Sequence, residues 1–308
     1  LMNEASNRLD SIRGDLVKGV KGLTSKNKVP EALEKGILRA RFGLSVFKDG
    51  TVRFDATNAP LTHFKPREIG IGVERLRQLG YLVDVKGEPL TGDEQVCELK
   101  VQDIIVPRAC LTYLARSAAF MDELLRGFYG LEPFYNLKSD EDLVGQPIIG
   151  LAPHTSVGVV GRVIGFTDAS VCFAHPYWHA AKRRDCDGDE DAVLLALDAF
   201  TNFSVEYLPS QVGGLMDVPL LVTPTINPYE VDSAAHNMDV AASYPLAFYD
   251  ACREQEDPRR LLGVTDVVAG RLGTEAQFEG LKFTHETSSI CGCNLQSAYR
   301  RLETMKSK

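Results

Sequence analysis

Seventeen residues, HPYWHAAKRRDCDGDED (175–191), hold the densest set of side chains able to do chemistry. Asp185, Asp187 and Asp189 alternate, with only Cys186 and Gly188 between them. In an extended backbone alternate side chains point to one face, so three carboxylates converge. Like charges that close raise one another's pKa, and a divalent cation removes the penalty; hard oxygen ligands suit Mg²⁺. Gly188 allows the chain to bend closely around an ion. Lys182, Arg183 and Arg184 adjoin the acids. Metal for reacting oxygens beside cations for phosphates is what phosphoryl or nucleotidyl transfer needs. Two blander readings fit the same residues: charge balancing between neighbours, and a solvated acidic turn capping a helix that begins at about Asp189 or Glu190.

Other chemistries fit less well. A helix-loop-helix calcium loop counted from Asp185 needs Gly and Glu where Glu190 and Ala196 stand. A phosphatase aspartyl nucleophile ends a buried apolar strand, but Ala180-Ala181-Lys182-Arg183-Arg184 precedes this one. His175 and His179 are spaced i, i+4, but Pro176 occupies the place where a zinc-protease signature has Glu. They read as core or supporting groups, and Tyr177 and Trp178 as packing rather than a base-stacking platform. GVVGRVIG lacks both the Lys-Ser/Thr of a P-loop and the G-x-G-x-x-G of a dinucleotide site. The seven cysteines include no C-x-x-C. Cys291 and Cys293, with His285 nearby, make a poor zinc set, and buried free thiols in a reducing compartment are expected.

The elements that must position the acidic cluster are partly legible. Leu33, Ile37 and Leu38 predict a short amphipathic helix between Pro30 and Phe42. LSVFKDGTVRFDA reads as a hairpin turning at Asp49-Gly50. Helices are expected over 66–79, bounded by Pro66 and Gly80, and over 107–129, closed by Gly130. After Gly145, short Val/Ile runs broken by Gly, Pro and His suit the bent strands of a small closed barrel. Val193, Leu194, Leu197, Phe200 and Leu208 give 190–208 a broad helical face. GGLMDVPLLVTPTI reads as a turn and a strand. The expected organisation is an α+β arm over 1–145 and a β-rich core over 146–308.

The chain has 308 residues, with 34 Lys+Arg against 42 Asp+Glu for a net charge of −8. That length suits two domains, and 44% hydrophobic with 25% charged residues excludes collagen, disorder and a disulfide scaffold. No apolar run approaches a membrane span, and the start LMNEASNRLDSIRGDL has no signal core, so a cytoplasmic protein is expected. Leu1 preceding Met2 suggests a piece of a longer protein. Basic residues gather at Lys18 to Arg41 and at 182–184, so the acidic total does not exclude a polyanionic substrate.

The stretch from IIGLAPHTSVGVVG through FAHPYWHAAKRRDCDGDEDAVLLALDAFTNFS closely resembles the catalytic region of the large subunit of archaeal family D DNA polymerases. KGVKGL, PEALEKGILRA, FKDGTVRFDATNAPLTHFKPREIG, GLMDVPLLV, EVDSAAHNMDV and LKFTHETS extend the likeness over nearly the whole chain. The resemblance implies a mixed α/β fold with a double-psi β-barrel core, as in multisubunit RNA polymerases. It also implies Mg²⁺-dependent addition of dNTPs to a primer 3′-hydroxyl on template DNA. The family's acidic motif, N-C-D-G-D-E-D, maps its catalytic, metal-binding aspartates onto Asp187 and Asp189, holding two Mg²⁺ ions. Asp185 stands where that family usually has Asn, giving an RNA-polymerase-like triad and a possible third metal ligand. Lys182, Arg183 and Arg184 are expected at phosphate or DNA, with His175, His179, Asp217 and His236 as a supporting shell. The family's longer subunit also carries a second barrel with basic residues, zinc-binding segments and a sliding-clamp contact, and its exonuclease lies in a small partner subunit. No zinc site is evident in this chain, and by itself it is expected to be inactive. The alternative is a nucleic-acid-binding or assembly module that kept the barrel and lost its chemistry.

Overall fold

The computed structural model describes residues 2–9, 20–21, 29–47, 50–152, 157–185, 188–202, 221–261, 263–284 and 289–292. Asp187 and Asp217 lie outside the described residues, as do Asp49, Leu208, His285 and Cys293.

The protein is mixed α/β. Its strands are β1 (Val20–Lys21), β2 (Val29–Pro30), β3 (Phe54–Pro60), β4 (His63–Phe64), β5 (Cys97–Glu98), β6 (Asp103–Pro107), β7 (Pro147–Leu151), β8 (Val157–Thr167), β9 (Val171–Ala174), β10 (Glu190–Leu195) and β11 (Leu221–Thr223). Seven of them form one sheet in the order β11-β8-β6-β9-β3-β10-β7. Because β7 also pairs with β8, the strand pairings return on themselves, with β11 added in parallel outside β8. The sheet is therefore ring-like. β10 is antiparallel to both its neighbours, Glu190 facing Thr57 of β3 and Leu195 facing Ile148 of β7.

The chain divides into two compact units. Unit 1 comprises Leu1–Thr57, Val106–Val163 and Glu190–Pro224; unit 2 comprises Asn58–Ile105, Ile164–Asp189 and Thr225–Lys308.

In unit 1, helix α1 (Met2–Arg8) is followed by α2 (Leu33–Phe42), which places Ile37 and Leu38 in the core as its periodicity requires. Gly43, at φ +62°, ends α2 in the left-handed cap that glycine favours. The hairpin expected at 49–50 is only half formed. Phe47 N–H donates to the Thr51 carbonyl at 2.8 Å, so the chain reverses, but residues 44–47 form no strand and β3 pairs with β10 instead. After α3 (Val73–Gln78) of unit 2, helix α4 (Arg108–Leu124) returns to unit 1 and runs into a π-turn, Leu125–Tyr129, that stops at Gly130. The buried Asp122 near its end accepts the backbone N–H groups of Phe134, Tyr135 and Asn136 at 2.8–2.9 Å.

The helix expected from residue 190 is a correction. Residues 190–195 are strand β10, in which Ala192, Val193, Leu194 and Leu195 are all buried. An apolar run buried on both faces has no amphipathic period, so its i, i+4 coincidences do not make a helix. Past α5 (Pro176–Ala181) of unit 2, among the described residues of this stretch Ala196–Asn202 is helical (α6), and Phe200 is exposed. Ile149, Leu151, Ala192, Leu194, Ala196 and Ala199 form one buried cluster of this unit.

In unit 2 the expected 66–79 helix is split. A 3₁₀ turn, Pro66–Ile69, ends at Gly70 with φ +66°, and α3 begins at Val73. Antiparallel pairing of β6 with β9 sets Ile104 opposite Ala174. The β8 backbone at Gly165 lies so close to Ile69 that an added Cβ would come within 2.8 Å of its side chain. Helix α7 (Leu246–Glu254) follows. Cys97 and Cys172 of this unit and Cys110 of the other are buried thiols outside any disulfide, as expected, whereas Cys252 is exposed and Cys291 half-buried. Among the described residues no helix is long and apolar enough to cross a membrane.

Candidate functional site

The described part of the acidic cluster lies in unit 2, on the connection from α5 to β10. Helix α5 starts as its sequence dictates: Pro176 occupies the first turn, and the His175 Nδ1 accepts the Tyr177 N–H at 3.1 Å. His175 is buried, and its Nε2 has no hydrogen-bond partner among the described residues; burial above all pushes its pKa down to about 3. It is a neutral cap. Trp178 and Tyr177 are fully buried, in keeping with packing rather than base stacking.

His179, one turn on, is also buried, with Nε2 3.1 Å from the Ala59 carbonyl oxygen of β3. A carbonyl only accepts, so Nε2 carries the proton and Nδ1 is left as an acceptor. Lys182 donates to it. Its ammonium is 3.4 Å from His179 Nδ1 and 3.5 Å from the centre of the Trp178 ring, and the residue is 2% exposed.

The chain then turns outward. Arg183 is exposed and takes φ +58°, unusual for a residue with a Cβ. The Arg184 side chain is 27% exposed, with Nη1 3.5 Å from Asp189 Oδ2. Its Nε is buried with no partner among the described residues. Asp185 is exposed, and Gly188, at φ +102°, bends the chain back to Asp189, whose side chain is 38% exposed. Sequence reasoning missed what holds this bend. Asn58 of β3, 1% exposed, donates Nδ2–H to the Asp185 carbonyl at 2.9 Å and accepts the Gly188 N–H on Oδ1 at 3.1 Å. Its own N–H donates to the Asp189 carbonyl at 2.8 Å.

The structure thus brings together Lys182 with His179, Arg184 with Asp189, and the backbones of Asp185 and Asp189 on Asn58. It does not join His236 to them. That ring sits in a 3₁₀ turn, Ser233–Asn237, and donates Nε2–H to the Pro228 carbonyl at 2.8 Å. Among the described residues no three His, Cys, Asp or Glu side chains converge as a metal site. The donors that are described, Asp185 and Asp189, are oxygen ligands open to solvent, and such a set suits a hard cation.

A turn of clustered acids beside arginines is a coarse signature, and comparison with known proteins decides what carries it. The family described as DNA polymerase II large subunit DP2, catalytic domain, matches residues 10–308. The chain belongs to the DNA polymerase II large subunit family. It is 54% identical over all 308 residues to the DNA polymerase II large subunit of Pyrococcus furiosus, covering 24% of that protein. Over 96% of its length it is 55% identical to the same subunit of Archaeoglobus fulgidus, covering 26% of it. The Methanothermobacter thermautotrophicus subunit is 51% identical over the whole chain, which covers 28% of it. The chain therefore spans about a quarter of the length of these polymerase subunits.

Proposed function

We propose that this chain is the nucleotidyl-transfer region of a DNA-directed DNA polymerase of archaeal replication. The observation that carries the reading is the acidic turn between α5 and β10: Asp185 and Asp189, solvent-accessible, on a bend set by Gly188, with Arg184 beside Asp189. Its family membership supplies the chemistry: a primer 3′-hydroxyl attacks the α-phosphate of a dNTP in line, and pyrophosphate leaves. Asp187 and Asp189 would hold Mg²⁺, with Asp185 as a further oxygen ligand. Bound there, Mg²⁺ would supply Lewis acidity for the phosphoryl oxygens of the reaction. Arg183 and Arg184 set cations on the outer side of the turn, suited to triphosphate or template phosphates. Lys182, turned inward, fixes the His179 tautomer, and His179 ties α5 to Ala59; both act beneath the turn. The closing strand pairings favour a double-psi barrel as the fold type.

Primer-template DNA and dNTPs are the substrates of this reading. Its partners are a small exonuclease subunit and a sliding clamp reached through other regions, in the archaeal cytoplasm. A net charge of −8 attracts DNA poorly, and positioning of primer and nucleotide can supply roughly 7–11 kcal/mol of the barrier. The isolated chain, without further basic residues across the cleft, should bind DNA weakly and extend no primer. The deciding experiment is primer extension by the complete two-subunit polymerase carrying Asp187→Ala or Asp189→Ala. Loss of extension is expected. Extension equal to wild type overturns the catalytic assignment and leaves a DNA-binding or assembly module.

A further inference from the structure

We propose that Asn58 is a positioning residue that holds the acidic turn in its metal-binding shape, an inference that rests on the reading of Asp187 and Asp189 as metal ligands. Repulsion within the turn is what such a residue must oppose. A turn bearing Asp185, Asp187 and Asp189 in alternation lowers its own energy by splaying, which moves the carboxylates apart. A site that binds a cation tightly must resist that opening before the cation arrives.

The Asn58 side chain pins the turn at Asp185 and at Gly188, positions that flank Asp187 in the sequence. Asp185 C=O can only accept and Gly188 N–H can only donate, so the two partners fix the amide: Nδ2 toward Asp185 and Oδ1 toward Gly188. No other side chain of this size offers one donor and one acceptor in a plane. Aspartate has two acceptors, so one oxygen would face the Asp185 carbonyl, and its charge would add to the acids it should steady. Alanine leaves both backbone groups of this half-buried contact without their partner. The third bond, Asn58 N–H to the Asp189 carbonyl at 2.8 Å, comes from the strand itself and does not depend on the side chain, proline apart. The Asn58 side chain therefore shapes the turn, while β3 anchors its end. The neighbouring Ala59 carbonyl receives His179, so two successive β3 residues carry α5 and the acidic turn together.

The test uses the complete polymerase subunit with Asn58→Ala, Asn58→Asp and Asp189→Ala, and reads two quantities other than activity. Mn²⁺ affinity is measured from the electron-spin resonance of free Mn²⁺. Amide exchange of the peptide spanning 185–190 is measured without metal. Outer partners of metal ligands are typically worth about 10–100-fold in affinity, so Asn58→Ala should weaken Mn²⁺ binding about tenfold. It should also speed exchange of that peptide. Asn58→Asp keeps volume and one acceptor, so it serves if the alanine variant folds poorly, and it should weaken binding too. A merely structural Asn58 would lower the melting temperature and leave Mn²⁺ affinity of the folded protein unchanged, which overturns the proposal. If Asp189→Ala abolishes binding while both Asn58 variants match wild type, the positioning role falls and the metal reading stands. If Asp189→Ala binds Mn²⁺ like wild type, the metal reading falls and takes the positioning role with it.

Discussion

The Lys182 ammonium lies 3.5 Å from the centre of the Trp178 ring, deep in unit 2. Of three consecutive cations, Lys182 is buried, Arg183 is exposed and Arg184 is half-buried beside Asp189. Lys182→Met keeps the stem and removes the charge. A desolvated cation–π contact contributes about 2 kcal/mol, so thermal unfolding should shift down by that order. The salt dependence of DNA affinity should not change. Arg183→Ala should do the reverse, reducing the slope of log affinity against log salt by about one with little change in melting. A reduced slope for Lys182→Met would place its charge at DNA.

Gly188 should tolerate no side chain. At φ +102° an L-residue is strained, at a cost of roughly 1–3 kcal/mol. If the turn relaxes to relieve that strain, the Asn58 bonds break. Gly188→Ala is expected to weaken Mn²⁺ binding while leaving far-ultraviolet circular dichroism unchanged. Wild-type affinity in a normally folded Gly188→Ala protein would show that the bend is not needed.

Asp185→Asn should be mild. Asp185 meets Asn58 through its backbone carbonyl, so the brace is indifferent to the side chain. Asn keeps the volume and one oxygen. We expect weaker Mg²⁺ affinity, so that extension needs a higher Mg²⁺ concentration and recovers at saturating Mg²⁺. An identical Mg²⁺ titration curve would put the Asp185 carboxylate outside the metal's contacts.

His175 gives the fold an acid-sensitive point. Its pKa falls from an ordinary 6.5 to about 3 on folding, through burial first and then the nearby His179 and His63. The unfolded chain takes up the proton below 6.5 while the folded chain resists it until about 3, so stability is full above 6.5 and declines through that window as pH falls. The slope contributed is at most about 1.4 kcal/mol per pH unit. His175→Asn retains an acceptor for the Tyr177 N–H and cannot titrate. Denaturant midpoints measured between pH 7 and pH 4 should fall less steeply for the variant. Parallel curves would show that other groups set the acid sensitivity.

Local signals were legible where one segment decides its own state. Leu33, Ile37 and Leu38 with Gly43 define a helix without help, and Pro176 after His175 marks the start of another. The acidic alternation at 185–189 was equally plain, because its meaning lies in residue types and spacing. Legibility failed where partners lie far along the chain. Residues 190–195 look helical in isolation and become a strand because β3 and β7 flank them. Asn58 is one of three polar residues in DATNAP, and its side-chain partners Asp185 and Gly188 are 127 and 130 residues away. No pattern within β3 announces them. The inward turn of Lys182 was hidden for a related reason: Lys182, Arg183 and Arg184 read as one basic cluster until α5 assigns each a direction.

Each compact unit is stitched from three separated stretches, and this has a consequence for synthesis. Unit 1 lacks its last stretch until the ribosome has passed Pro224, and unit 2 waits for the stretch beginning at Thr225. The acidic turn is made well before unit 2 is whole. A nascent chain thus carries exposed strand edges for most of its translation, the circumstance in which slow, non-local pairing invites aggregation. No single cut of the gene can separate the two units, and rearranging the order of segments would change which is finished first.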